Sequence, residues 1–367
     1  MSLFSKKNPF FFRLNNSQLT EPELIAACSR LLQRLSSSPS SSAVLQLANA
    51  VALQIGYPIL PTFLDVVESD FHSKLFSVDF ANKPKAAIEK INSWAGEKTH
   101  GKIPELFDEE LDQDTKLVLL NALYFKGAWA EAFKKKHTTE EEFTLSKEGK
   151  KFNVSMMHKD DFNLRQTTTE EGHQLVELPF RGEVQSMLLF LPNETLLAGN
   201  SSTTTTTTIT SAFYRAIKKH NALSKMRSKV VDLSLPRFKI ESSFQFKETL
   251  QKMGMRAAFD NTVADFRRMT TNKGLVIEEV VQKTMIEVNE AGAEAAAASA
   301  VQMVHYSARP PRTSIHFNRP FLFAIRDNRL YVNLFVGIVN KPVEGGSEVG
   351  AKEEKDDDDD GEKIFFY

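Results

Sequence analysis

Cysteine is almost absent from this chain: Cys28 stands alone, so no intramolecular disulfide can form. Tryptophan is nearly as scarce at two residues, whereas phenylalanine reaches 28, which predicts a core built on phenylalanine rings. No apolar run approaches the roughly 18 residues that a bilayer-spanning helix needs, so no membrane span is expected. The N-terminal "MSLFSKKNPFFFRLNN" places two lysines before a short aromatic run, but it lacks the apolar stretch and small-residue cleavage site of a signal peptide. Eight histidines are scattered singly, and HExxH, CxxC, GxSxG, Walker and GxGxxG patterns are all missing. These absences predict no metal and no cofactor, and they leave an enzyme without support. A triad drawn from distant residues stays compatible with such a sequence, so an enzyme is unsupported rather than excluded.

Charge is balanced in total and uneven in distribution. The last 24 residues carry ten Asp/Glu against three Lys, a net of −7, which leaves about +6 on residues 1–343. That excess is too small and too dispersed for a nucleic-acid partner. The acidic stretch ending in "KEEKDDDDDGEKIFFY" reads as a disordered tail, because like charges repel and little there can pack. Four N-x-S/T sequons begin at Asn15, Asn153, Asn193 and Asn200, close to the number that chance supplies.

Helical periodicity is found over 22–35, with Leu24, Ala27, Leu31 and Leu35 on one face, and again over 61–76 and 84–100, the last ending near Gly101. "AVLQLANAVALQI" (43–55) and "TKLVLLNALYFKGAW" (115–129) read as buried strands, the second covered on both faces. "QLVELPF" and "SMLLFLP" continue a β-rich middle, "NSSTTTTTTIT" (200–210) reads as a flexible loop, and 242–259 as helical. A strand over 275–288 and two final β runs, "IHFNRPFLFAIRD" and "LYVNLFVGIVNKP", complete the pattern. Helices early and strands late argue for an α+β fold rather than alternating βαβ units. The expected organisation is a poorly defined segment over 1–20, one domain over 21–343 and the acidic tail over 344–367.

Three ordered motifs resemble one family, the serpins. "VNEAGAEAAAASA" (288–300) resembles the serpin hinge: Glu290, Gly292, then the small run Ala293, Glu294, Ala295, Ala296, Ala297, Ala298 and Ser299. "IHFNRPFLFAI" (315–325) matches the family's C-terminal signature around Asn318, Arg319, Pro320 and Phe321, and "NALYFKGAW" (121–129) resembles the strand bearing its shutter asparagine, Asn121, and breach tryptophan, Trp129. The resemblance implies a helical subdomain, large mixed sheets and an exposed reactive-centre loop over about 290–314. It also places a basic residue, Arg237, opposite Glu290 at the top of the main sheet. The chain departs from the pattern at Gln282, where the family has a shutter histidine; glutamine can hydrogen-bond Asn121 but cannot titrate. It also departs from the pattern at the N-terminus, where the family's opening helices are not recognised, as a natural variant or a truncated gene model.

Insertion of a loop between existing strands requires small, uncharged residues at every second position. With Ala293 turned inward, so are Ala295, Ala297, Ser299 and Val301, and Glu294 turns outward; an alanine-rich surface helix is the competing reading. The family's spacing from hinge glutamate to scissile bond falls on Tyr306–Ser307. Arg309 precedes a proline, Arg312 would lengthen the inserting segment and Met303 would shorten it. The resemblance therefore implies a monomeric suicide-substrate inhibitor, not an enzyme, whose partner is a serine protease of the chymotrypsin-like type that takes an aromatic residue. A non-inhibitory carrier, chaperone or storage serpin and an inactive truncated serpin are the alternatives. An extracellular location follows from the resemblance; a cytoplasmic one follows from the missing signal peptide.

Overall fold

In the computed structural model the described residues are 20–36, 43–145, 150–194, 202–217, 222–290, 313–342, 348–350 and 363–364. Two sheets dominate. The main sheet has the order β14-β9-β10-β3-β1-β2, built from β1 (Ala43–Gln54), β2 (Lys74–Val78), β3 (Leu117–Gly127), β9 (Phe238–Gln245), β10 (Glu279–Val288) and β14 (Glu348–Gly350). The second sheet has the order β11-β8-β5-β6-β7-β12-β13-β15, with β4 (Thr138–Thr144) attached to β5 (Lys151–Thr168). Its other strands are β6 (Gln174–Pro179), β7 (Gln185–Leu191), β8 (Arg227–Pro236), β11 (Thr313–His316), β12 (Phe321–Asp327), β13 (Val332–Val339) and β15 (Lys363–Ile364).

The apolar run of β3 becomes a central strand because both of its faces are covered. Leu123 and Phe125 enter the core between the sheets, whereas Leu120, Ala122 and Tyr124 face helix α3 (Pro84–Lys98) through Ile88, Ile91 and Trp94. Helix α3 stops where Gly101 takes φ +74 and its N–H returns to the Gly96 carbonyl at 2.7 Å, a conformation that suits glycine. The inter-sheet core is rich in phenylalanine: Phe125, Phe143, Phe180, Phe238, Phe317, Phe321, Phe323 and Phe335 are all fully buried.

Three expectations are corrected. Residues 61–76 form a helix only over α2 (Pro61–Asp65) and a π-turn (Val66–Asp70); β2 then takes Lys74–Val78 because it pairs in parallel with Ala50–Gln54. The threonine run reads as a loop but forms helix α4 (Ser202–Ile217). Ile209, Ala212, Phe213, Ala216 and Ile217 recur at helical spacing and pack on Leu175, Leu188 and Phe190, burial that outweighs the poor helix propensity of threonine. A short helix α5 (Ala222–Lys225) follows. Residues 242–259 are helical only over α6 (Lys247–Lys252) and a 3-10 turn at Ala257–Phe259, since β10 captures the stretch up to Gln245 as a neighbouring strand. Within the acidic tail the described residues are 348–350 and 363–364, which lie as β14 beside β9 and β15 beside β13.

Candidate functional site

The seam between β3 and β10 organises the site. The two strands pair directly and in parallel from Glu279↔Val118 to Ile286↔Phe125, with no strand between them. Midway along, Asn49, Asn121 and Gln282 stand side by side on β1, β3 and β10. The Asn121 amide donates to the Asn49 carboxamide oxygen at 2.6 Å, away from the seam. Gln282 does not bond Asn121, as the sequence reading allows; its amide donates to the Thr284 hydroxyl at 3.4 Å on its own strand. The Asn121 Oδ1 atom is buried and without a hydrogen bond. Neither side chain bonds the other across the seam, so the backbone ladder alone joins β3 to β10 at this level.

At the end of β10 the chain enters the segment 291–312. Glu290, the last described residue before it, is 2% exposed. Arg237, just beyond β8, donates to its carboxylate from Nε at 2.8 Å and also from its terminal nitrogen, and Thr138 donates at 2.5 Å. The Glu290 carbonyl accepts the Phe133 N–H at 3.0 Å. Burial pushes the Glu290 carboxyl up, but the hydrogen bonds from Arg237 and Thr138 outweigh it and hold the group below its ordinary value. Trp129 closes the same end: its indole N–H donates to the Asn289 carbonyl at 2.9 Å and its ring stacks on Phe180 at 4.7 Å. Gly127 permits that stack, since a Cβ there would lie 2.4 Å from Phe180 Cδ1.

The signature residues lie behind this end. Asn318 accepts the Thr144 N–H at 2.9 Å, and Arg319 reaches the Pro192 carbonyl at 3.2 Å and Glu194 at 3.4 Å. Burial lowers the Arg319 pKa against the pull of Glu194. Pro320 precedes the fully buried Phe321, which meets Phe317 edge-on at 5.1 Å. Gly292, Ala293 through Ser299, Tyr306 and Ser307 lie outside the described residues. Sequence reasoning missed Thr138, Phe133 and Phe180, which no local pattern marks. Asn49 had a signal, a lone amide in an otherwise apolar strand.

Among the described residues no cluster of His, Cys, Asp and Glu could hold a metal, and no helix is long and apolar enough to cross a membrane.

A two-sheet α+β fold whose main sheet pairs β3 directly and in parallel with β10, just ahead of the latch on Glu290, defines a class, and the comparisons agree with it. The family model described as Serpin (serine protease inhibitor) matches residues 9–342. The chain belongs to the serpin family. It is 38% identical over 299 residues to Serpin B4 of Homo sapiens, covering 81% of this chain and 74% of that protein. It is 35% identical over 303 residues to the leukocyte elastase inhibitor of Xenopus laevis, covering 82% and 78%. Among solved structures, the thermophilic serpin Tengpin in its native state superposes with a TM-score of 0.74 at 26% identity, covering 88% of this chain and 79% of that one.

Proposed function

We propose that this serpin is a monomeric suicide-substrate inhibitor of a chymotrypsin-like serine protease. The observation that carries the proposal is the direct β3–β10 pairing, which leaves the main sheet ready to accept one more strand. In this reading the protease serine attacks the Tyr306 carbonyl, the Tyr306–Ser307 bond breaks, and the Ser307 amine leaves while Tyr306 stays esterified to the enzyme. Segment 293–301 then enters the seam with Ala293, Ala295, Ala297, Ser299 and Val301 inward. Small side chains keep that entry free of clashes and of buried charge. The Arg237–Glu290 pair holds the base of the loop until then. Opening would part the β3–β10 backbone ladder, with no side-chain bond between Asn121 and Gln282 to add to it. The protein's own part is structural and ends in a trapped protease rather than turnover.

Incubation with chymotrypsin tests this reading. An adduct stable in SDS and a released peptide beginning at Ser307 are expected. A clean nick without an adduct would assign the protein to the carrier-like serpins, and a peptide beginning at Val304, Pro310 or Thr313 would move the scissile bond. An extracellular placement is part of the proposal, and the N-terminal sequence of the mature protein checks it.

A further inference from the structure

The corner between β5 and β6 closes around a buried imidazole. Thr169 and His173 bracket the turn: the Thr169 N–H donates to the His173 carbonyl at 2.8 Å, and the His173 N–H to the Thr169 hydroxyl oxygen at 3.1 Å. The His173 residue is 1% exposed, and its ring lies 5.1 Å from that of Phe190 on β7, which in turn meets Phe213 of α4 at 5.4 Å. Just past β7, the Asn193 N–H donates to His173 Nδ1 at 3.0 Å. A backbone N–H can only donate, so Nδ1 carries a lone pair and the ring is the neutral tautomer with its proton on Nε2. That Nε2 atom is buried without a hydrogen bond. The Asn193 side chain adds a second tie, its amide donating to the Glu171 carbonyl at 3.1 Å. It passes close to Gly172, which sits in the left-handed region at φ +82; a Cβ there would lie 2.7 Å from the amide nitrogen.

We propose that His173 is an acid-released lock, which fastens the chain leaving β7 to the β5–β6 corner while its imidazole is neutral. A second proton can add only at Nδ1, where it would face the Asn193 N–H donor to donor, so the imidazolium and this bond exclude each other. The charged groups around the ring offset one another. Glu171, from the same turn, favours the imidazolium, whereas Arg215, from α4, opposes it and lies 3.9 Å from Glu171. Glu170 of the turn is engaged by Lys225 of α5 at 3.2 Å, and Glu194, beyond Asn193, by Arg319 at 3.4 Å. From β7 the ring is faced by the apolar Phe190. Burial therefore prevails and holds the His173 pKa below the ordinary histidine value of about 6.5. A group with a depressed pKa contributes its full stability above its unfolded value and loses it as the pH falls through the lower folded value. The lock is thus closed at neutral pH and opens in acid. Once it opens, residues 192–194 keep the Asn193 side-chain bond and the hold of Arg319 on the Pro192 carbonyl at 3.2 Å. The inference stands apart from the protease reading: it concerns the exit of β7, whatever the reactive loop does.

The test is hydrogen exchange at the Asn193 amide of the full-length protein, with Phe321–Asp327 as internal reference, across a series from about pH 8 to about pH 4.5. After correction for intrinsic rates, Asn193 should be protected about fivefold more at the top of the series than at the bottom, the size of one neutral hydrogen bond, while the reference strand stays level. His173→Gln offers an acceptor that does not titrate in this range and should keep Asn193 protected throughout. His173→Phe offers no acceptor and should leave the amide weakly protected at every pH. If one variant does not fold, the other reads the same loss of pH dependence. Equal protection of wild-type Asn193 across the series, or a pH dependence that survives either substitution, overturns the proposal.

Discussion

Arg237→Met isolates the latch beneath the loop. The substitution keeps the length of the side chain and removes both donors that Arg237 gives to Glu290, a residue only 2% exposed. Thr138 remains as the carboxylate's side-chain donor at 2.5 Å. Removing one partner of a buried ion pair costs about 3–5 kcal/mol, because the other charge stays buried. The Arg237 side chain is 29% exposed, which places the expected loss near the lower end, at about 3 kcal/mol. Urea unfolding followed by tryptophan fluorescence measures it, since the Trp129 indole bonds Asn289, the neighbour of Glu290. Adding Glu290→Gln should recover at least about 1 kcal/mol, as the buried charge disappears with its partner. The pH dependence follows from the depressed Glu290 carboxyl. A group held below its unfolded value stabilises fully above that value, about 4.3, and loses its contribution as the pH falls through the lower folded value. Arg237→Met should therefore flatten the acid limb of the stability curve. A single variant within about 0.5 kcal/mol of the parent, or a double variant no better than the single, would refute the reasoning.

Other expectations are as direct. Gly127→Ala should lower stability by about 1–3 kcal/mol in the same urea assay, because the new methyl meets Phe180 at 2.4 and 2.6 Å and that ring is held between Phe125 and Trp129; an unchanged midpoint would show that the ring can move. Ala295→Arg should turn the inhibitor into a substrate, since insertion would bury an unpaired guanidinium at a cost on the order of 3 kcal/mol or more; an undiminished covalent complex with chymotrypsin would show that the inward register is wrong. Tyr306→Arg should exchange chymotrypsin inhibition for trypsin inhibition, read as association rates with each protease, because a trypsin-like pocket needs a cation for its buried carboxylate; retention of chymotrypsin inhibition would place the scissile bond elsewhere.

The sequence by itself determined the elements whose signal is local and strong. The apolar run of β3, the periodic face of helix α3 and the helical span of α1 (Glu21–Ser36) could be read without coordinates, because burial writes its period into the chain. The face expected on α1 is not buried as a whole, since Leu35 is buried and Leu31 exposed. Ordered motifs of that kind also sufficed to recognise the family. Tertiary structure decided what depended on partners far away in the chain. Lys74–Val78 became a strand because β1 offered an edge, and Ser202–Ile217 became a helix because Leu188 and Phe190 offered a surface. The latch on Glu290 gathers Thr138, Phe133 and Arg237 from separate elements. A lone histidine or threonine carries no mark of such a meeting, because a hydrogen bond depends on where the fold sets its partner and not on the residues beside it in sequence.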